Sequence, residues 1–419
     1  MRQTRLSDEK GMVLVIAMIL IAILGLIGLA ASRNVTTDTT VASNHLTSVQ
    51  SLYMAEAGLE RAKNESAERY ITGNWSNFNG ILKGADGAAG TSDDGILNLG
   101  TTTAYQGGSF AVRVTNDLGD VGGGSSDTNS AISITSTGTY GNSTTVLQTT
   151  IRMNSLPPLP GAINLVHGDK TSFDGNSFDI DGRDYKLTDP EGSPTGAASP
   201  KYGISVNDTL DLAASKSAIL ATVTGTQADN IHGTGGTATD PSVGTSTDLN
   251  RQILREFVDS IKMVSDTKLV NPPGFANNCD ANNCVNVGGK NVCLGTPTDP
   301  KITYISKTDG SSFDFTGNLS GVGILVVDGD DLKFKGNVDW TGVVIVLGKN
   351  VGFEDRGGGK AQNVRGGILV GEYADSPTGF NLIVKGNPKL FYSQEALDKV
   401  SNYIKANKKY SVLSWRRVY

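Results

Sequence analysis

The chain has 419 residues, with 52 Gly, only 13 Pro, 6% aromatic and 19% charged content. That length points to two or three units, and a glycine excess without a collagen period favours turn-rich β structure over a helical bundle or coiled coil. The formal net charge of -6 comes from 42 acidic and 36 basic residues spread along the chain; no basic field exists to hold a nucleic-acid backbone, so nucleic acid is disfavoured as a partner.

The first element is an uncharged run, Met12–Ala31, about 30 Å long as a helix and able to span a bilayer. Arg2, Arg5 and Lys10 precede it, so the positive-inside rule keeps residues 1–11 cytoplasmic and sends the bulk outward. Leu29-Ala30-Ala31-Ser32 resembles a signal-peptide cleavage site, and a plain signal anchor is the other simple reading. Against both, Val35, Val41, Leu46, Val49, Leu52, Tyr53 and Leu59 continue at helical spacing with neither Pro nor Gly between residues 29 and 57. The pattern predicts one helix that starts in the membrane and projects beyond it, over 12–70.

The segment Gly11-Met12-Val13-Leu14-Val15-Ile16, the apolar run and the block Tyr53-Met54-Ala55-Glu56-Ala57-Gly58-Leu59-Glu60-Arg61-Ala62 resemble the N-terminal module of PilX-type minor pilins of type IV pilus systems. The resemblance covers the first 65 residues well. It implies a leader, 1–11, removed after Gly11 by prepilin peptidase, with Met12 as the N-methylated first residue of the mature chain. It also implies residence in the inner membrane before assembly, then on the pilus or cell surface, with other minor and major pilins as partners. Major pilins usually carry Glu at the fifth mature position; here it is Ile16. A buried carboxylate without a partner is costly, so its absence suits a subunit with nothing ahead of it, at a filament tip. The bland reading is that Ile16 improves membrane anchoring.

Residues 71–153 alternate in the β manner, with strands at 110–114, 131–137 and 145–151 between Gly-Asn and Gly-Gly turns, and predict a small antiparallel sheet over the distal helix. Within it, Asp86, Asp93 and Asp94 lie on a Gly-rich loop that reads either as a solvated turn or as a candidate Ca²⁺ loop. Asp179, Asp181 and Asp184 invite the same pair of readings. No other cofactor is expected. Residues 154–160, Asn-Ser-Leu-Pro-Pro-Leu-Pro, read as a stiff linker.

From 161 to 392 an apolar-x-Gly-Asn signature recurs at Phe173–Asn176, Phe315–Asn318, Phe334–Asn337 and Val384–Asn387. Steps of 19 separate Gly317 from Gly336 and Gly323 from Gly342, near the coil length of a parallel β-solenoid. A hairpin sandwich with Gly-Asn turns is the alternative. An insertion is expected at about 207–300, holding an amphipathic helix capped at Thr247-Asp248 and all three cysteines, Cys279, Cys284 and Cys293. In an oxidising envelope one disulfide among them is expected, its pairing left open. A helix from about 393 to 406, at the start of the C-terminal segment 393–419, is expected to cover the open end of the sheet. The fold class is thus α+β, mainly β.

Nothing marks an enzyme. His45, His167 and His232 lack a nucleophile motif beside them, and the glycine run at 357–360 lacks P-loop spacing. Two functions remain: a structural minor pilin that enters or starts a filament, and an anchored surface adhesin whose β domain binds a glycan or protein.

Overall fold

The computed structural model describes residues 8–73, 77–97, 102–166, 168–207, 212–277, 283–348, 350–354, 362–371 and 380–418. They fall into two units: residues 1–69, 76–151 and 413–419, and residues 70–75 and 152–412.

The first unit begins with the helix α1, Asp8–Thr72. Ser51, Ala55, Leu59, Ala62 and Ser66, all buried along its distal half, recur at three- and four-residue steps and form one stripe. The sheet comes close to this stripe at its small residues. A methyl added to Gly138 would lie 2.2 Å from Ala55 N and 2.3 Å from Ser51 O, and one added to Gly58 would lie 2.2 Å from Ser136 Oγ. Ser51 Oγ also pairs with Thr145 Oγ1 at 2.8 Å. The sheet has five strands, in the order Thr103–Tyr105, Gly108–Asn116, Ala131–Tyr140, Ser143–Met153 and Tyr410–Val418. The three strands read from the sequence are its centre. The last was expected as a helix-and-tail segment, and instead the chain returns to this unit to supply an edge strand.

The second unit is a curled sheet of 14 strands, parallel at each described pairing and so unlike a hairpin sandwich. Its register follows the glycine period: Gly323 pairs with Gly342 and Asn318 with Asn337, while Asp331 pairs with Asn350. Lys301, Gly323, Gly342 and Gly366 form one column across the strands. The three glycines have φ of 134°, 126° and 139°, where a side chain is strained. A methyl on any of them would meet the carbonyl of the strand before at 2.0–2.2 Å. These glycines allow the long strands Asn318–Phe334 and Asn337–Leu347 to bend, which curls the sheet. Inside the curl, Phe315, Phe334 and Phe353 stack with centroids 5.0 and 4.8 Å apart.

Spatial order departs from chain order. Ile163–Leu165 pairs with Ile368–Val370 on one side and with Ile204–Val206 on the other, so the C-terminal strands close back onto the first. Strands Val243–Thr245 and Thr267–Val270 end the same ladder at opposite edges. The helix Arg251–Val264, about 21 Å long, carries the chain between them. The segment expected as an insertion therefore threads into the sheet, adding these strands and Ile231–His232.

Three local expectations are corrected. The helix cap is Asn250, whose Oδ1 accepts from Ile253 N at 2.8 Å, so the helix starts later than Thr247-Asp248 suggested. The segment 154–160 is packed: Asn154 Nδ2 donates to Lys408 O at 2.8 Å, and Leu159 is buried in the core. Finally, the helix Gln394–Asn407, capped by Ser393, crosses strands 318–334, 337–347 and 362–371 in the middle of the sheet and does not cover its end. Its stripe Ala396, Leu397, Val400 and Ile404 sits over the glycine column, with Val400 Cγ2 2.9 Å from where a Gly342 methyl would be. The ladder's edges are instead blunted by strands of three and four residues, too short to template much pairing.

Candidate functional site

The segment Gly11–Ile16 lies near the start of α1, on helix with no covering structure. Met12 is 61% and Ile16 53% exposed, and large apolar side chains stay exposed through Leu29, Val35, Val41 and Leu46. The helix is long and apolar enough to cross a membrane. An exposed apolar surface of this extent marks a site of interaction with lipid or with other apolar surfaces. The apolar run Met12–Ala31 is thus left without partners in the chain, while the distal part of the helix, from Ser51 on, is buried against the sheet. Sequence periodicity located the helix but not this division, which depends on Gly138 letting the strand backbone meet the helix backbone and on Gly58 leaving room for Ser136 and Phe110.

The other candidates are placed as follows. Asp93 Oδ2 accepts from Ala85 N and Asp86 N at 2.7 and 3.2 Å, and its Oδ1 accepts from Thr91 Oγ1 at 2.6 Å. These donors, Thr91 foremost, hold the Asp93 carboxyl below its ordinary value. Asp86 Oδ1 accepts from Ala88 N, and Asp94 Oδ2 from Gly90 N. The three carboxylates are committed to tying their own loop.

In the second group, Asp181 is fully buried and takes Arg183 Nε at 3.0 Å, Arg183 Nη2 at 2.6 Å and Tyr185 OH at 2.8 Å. Asp184 accepts from Ala198 N and Gln394 N. Asp179 differs: its Oδ1 is buried with no hydrogen-bond partner, and His232 Nε2 stands 3.9 Å away. No three His, Cys, Asp or Glu side chains converge as a metal cluster among the described residues.

Burial, followed by the charge of Asp181, pushes the Asp179 carboxyl up to about 6, against the smaller opposing pull of His232 and Lys389. Glu191 adds a further small upward push. Because the folded state favours the protonated acid, this group's contribution is greatest below about pH 4 and is lost as pH rises towards 6. Asp179→Asn removes that loss. The variant is expected to be more stable than the parent at pH 7, by on the order of 1–3 kcal/mol, and no more stable at pH 4. Urea unfolding at the two pH values measures it; an equal change at both would show that charge is not the cause.

The structure joins Cys284 to Cys293, across the hairpin Cys284–Val287 and Lys290–Cys293. Cys279 lies outside the described residues, as do His167 and the glycine run 357–360. His45 is on the exposed part of α1. A cleft of about 290 Å³ opens between Leu156–Pro160 and the helix Gln394–Asn407, with Lys201, Asp248 and Asp398 at its wall.

Residues 10–60 match the PilX N-terminal family, a span that covers Gly11–Ile16, the apolar run and the first part of the buried face of α1. No curated protein matches the chain. Among solved structures, the crystal structure of the competence-associated pilin ComZ from Thermus thermophilus is similar at 12% identity, over 89% of this chain and 98% of that one, with a TM-score of 0.23.

Proposed function

We propose that this chain, whose residues 10–60 are a PilX-type N-terminal module, is a minor pilin that joins or starts a type IV pilus or related filament and stands at its tip. The observation that carries the reading is one continuous helix, family-matched at its start, whose run Met12–Ala31 is apolar and bare. In this reading prepilin peptidase cuts after Gly11, and Met12 becomes the N-methylated first residue. The helix waits in the inner membrane with its N-terminus cytoplasmic, then packs among the helices of other minor and major pilins.

Two features support the terminal place. Ile16 stands where a carboxylate would need a preceding subunit to neutralise it. Helices in a filament core lie about 8–10 Å apart, and a subunit followed by two β units is more easily accommodated once, at an end, than repeatedly along a shaft. We read the curled sheet as a β-solenoid, because its strands are parallel and the pairings at its centre step by 19 residues. The role is structural and needs no catalytic step.

Purified protein is expected to begin at Met12, and Gly11→Val to leave an unprocessed precursor in the membrane. A mature N-terminus near Ser32 would overturn the pilin reading. Deleting the chain is expected to abolish or sharply reduce fibres; normal fibres with lost attachment would favour the adhesin instead. Immunogold label spaced regularly along the shaft would reject the tip.

A further inference from the structure

The five-stranded sheet of the first unit has two unequal edges. One is Thr103–Tyr105, three residues long and too short to template much pairing. The other is Tyr410–Val418, nine residues long and last in the strand order. The outer N–H and C=O groups of such a strand face no neighbouring strand, and they are the template on which a further strand pairs. Residues 414–418 are exposed without a break, with Trp415 at 55% and Val418 at 41%.

Open edges are commonly guarded by charged side chains that stand over them. Arg416 and Arg417 do not guard this one. Arg416 Nε donates to Gln148 Oε1 at 2.8 Å, and Arg417 Nη2 donates to Thr145 Oγ1 at 3.4 Å. Both acceptors belong to Ser143–Met153, the strand on the inner side. The two guanidinium groups therefore lean back over the sheet, one on each face, and flank the edge without covering it. Trp415 lies between them in sequence, and an exposed aromatic side chain on a strand favours pairing with an apolar cross-strand neighbour.

Charge says which kind of strand fits. The five strands contain no Asp or Glu, and they carry Arg113, Arg152, Arg416 and Arg417, in a chain whose net charge is -6. Arg152 has Glu256 at 3.7 Å. Arg113 pairs in register with Thr135, Thr135 Oγ1 accepts from Gln148 Nε2 at 3.4 Å, and Gln148 accepts from Arg416. That row crosses the face turned away from α1, since Ser136, the next residue, lies against Gly58 of the helix. A second copy of the strand would set Arg416 and Arg417 near their like, which is unfavourable; an acidic strand gains at the same positions.

We propose that residues 413–418 are a docking edge for an extended acidic segment of a partner protein, which adds a further strand to this sheet. Main-chain hydrogen bonds supply the affinity. Alternate side chains supply the selectivity, with a carboxylate beside Arg416 on one face and an apolar residue beside Trp415 on the other.

The probe is a short peptide alternating glutamate and valine, blocked at both ends, added to full-length protein in phosphatidylcholine nanodiscs. It is expected to bind and to slow hydrogen exchange at 413–418. A counterpart with lysine for glutamate is expected to bind at least about tenfold more weakly, and Arg416→Glu combined with Arg417→Glu, both exposed positions, is expected to reverse that order. The acidic peptide N-methylated at every residue keeps its charge and loses its ladder donors; it is expected not to bind. Equal binding of the methylated peptide would show charge attraction without strand pairing and overturn the proposal. So would no binding of the acidic peptide up to about 1 mM, an unaltered preference in the double variant, or protection at Thr103–Tyr105 instead. Concentration-dependent protection of 413–418 without peptide would give the edge to a second copy. Flotation of the protein with phosphatidylglycerol vesicles, abolished by the double variant, would give it to lipid. Either result rejects an acidic protein segment. None of these outcomes depends on filament assembly.

Discussion

Gly138→Val is expected to detach the distal half of α1 from its sheet. Gly138 sits within the strand Ala131–Tyr140, where intrinsic preference alone would make valine the better residue by up to about 1 kcal/mol. The tertiary contact reverses the sign. A methyl there would lie 2.2 Å from Ala55 N, 2.3 Å from Ser51 O and 2.8 Å from Ala55 Cα, all backbone of a regular helix that cannot yield locally. Overpacking a well-ordered core costs about 1–3 kcal/mol when side chains can shift; with backbone on both sides the expected cost is larger, on the order of 3–5 kcal/mol. Protease cleavage within residues 46–66 and an early unfolding transition are the expected readouts. A variant as stable as the parent would show that the helix does not seat on Gly138.

The second large effect is Phe334→Ala. Phe334 is fully buried, with rings stacked on both faces, Phe315 at 5° and Phe353 at 2° between planes. Truncating a buried phenylalanine costs about 3–5 kcal/mol, and each aromatic neighbour lost adds roughly 0.5–1.5 kcal/mol. Chemical unfolding of the second unit should show the upper part of that range. Phe334→Leu should recover much of it, since most of the volume returns. Lys333→Ala, one residue away on the half-buried outer face, should stay within about 0.5 kcal/mol. Equal losses at 333 and 334 would mean that the stack is not what holds the strands together.

Much of this was legible without coordinates. The apolar run Met12–Ala31 is continuous, and continuity of that kind has few physical solutions. Spacing also exposed the 19-residue period, because a strand that must bend at the same place on each pass needs a residue free to adopt φ near +130°. Gly323 and Gly342 carry that signal. The next glycine of the column is Gly366, a step of 24 and not 19, an interval that only pairing register resolves, since a one-residue slip moves every side chain to the other face.

The candidate site divides in the same way. Gly11, Met12 and Ile16 can be named from local order alone, because the resemblance that singles them out is a linear pattern. Acidic residues in a glycine-rich stretch drew attention to Asp86, Asp93 and Asp94, whose oxygens turn back onto their own amides.

What the sequence determined by itself is therefore everything with a period or a run: the membrane-length helix, the central antiparallel strands and the repeating parallel ones. Tertiary structure alone decided the non-local pairings. It placed Tyr410–Val418 at the edge of a sheet that begins some 300 residues earlier, stacked the C-terminal strands on Ile163–Leu165, and laid the helix Gln394–Asn407 over the glycine column and not across an end. The reason is that local pattern states which face of an element must be buried, while its partner is chosen by shape and by the backbone groups left unpaired once the rest has folded.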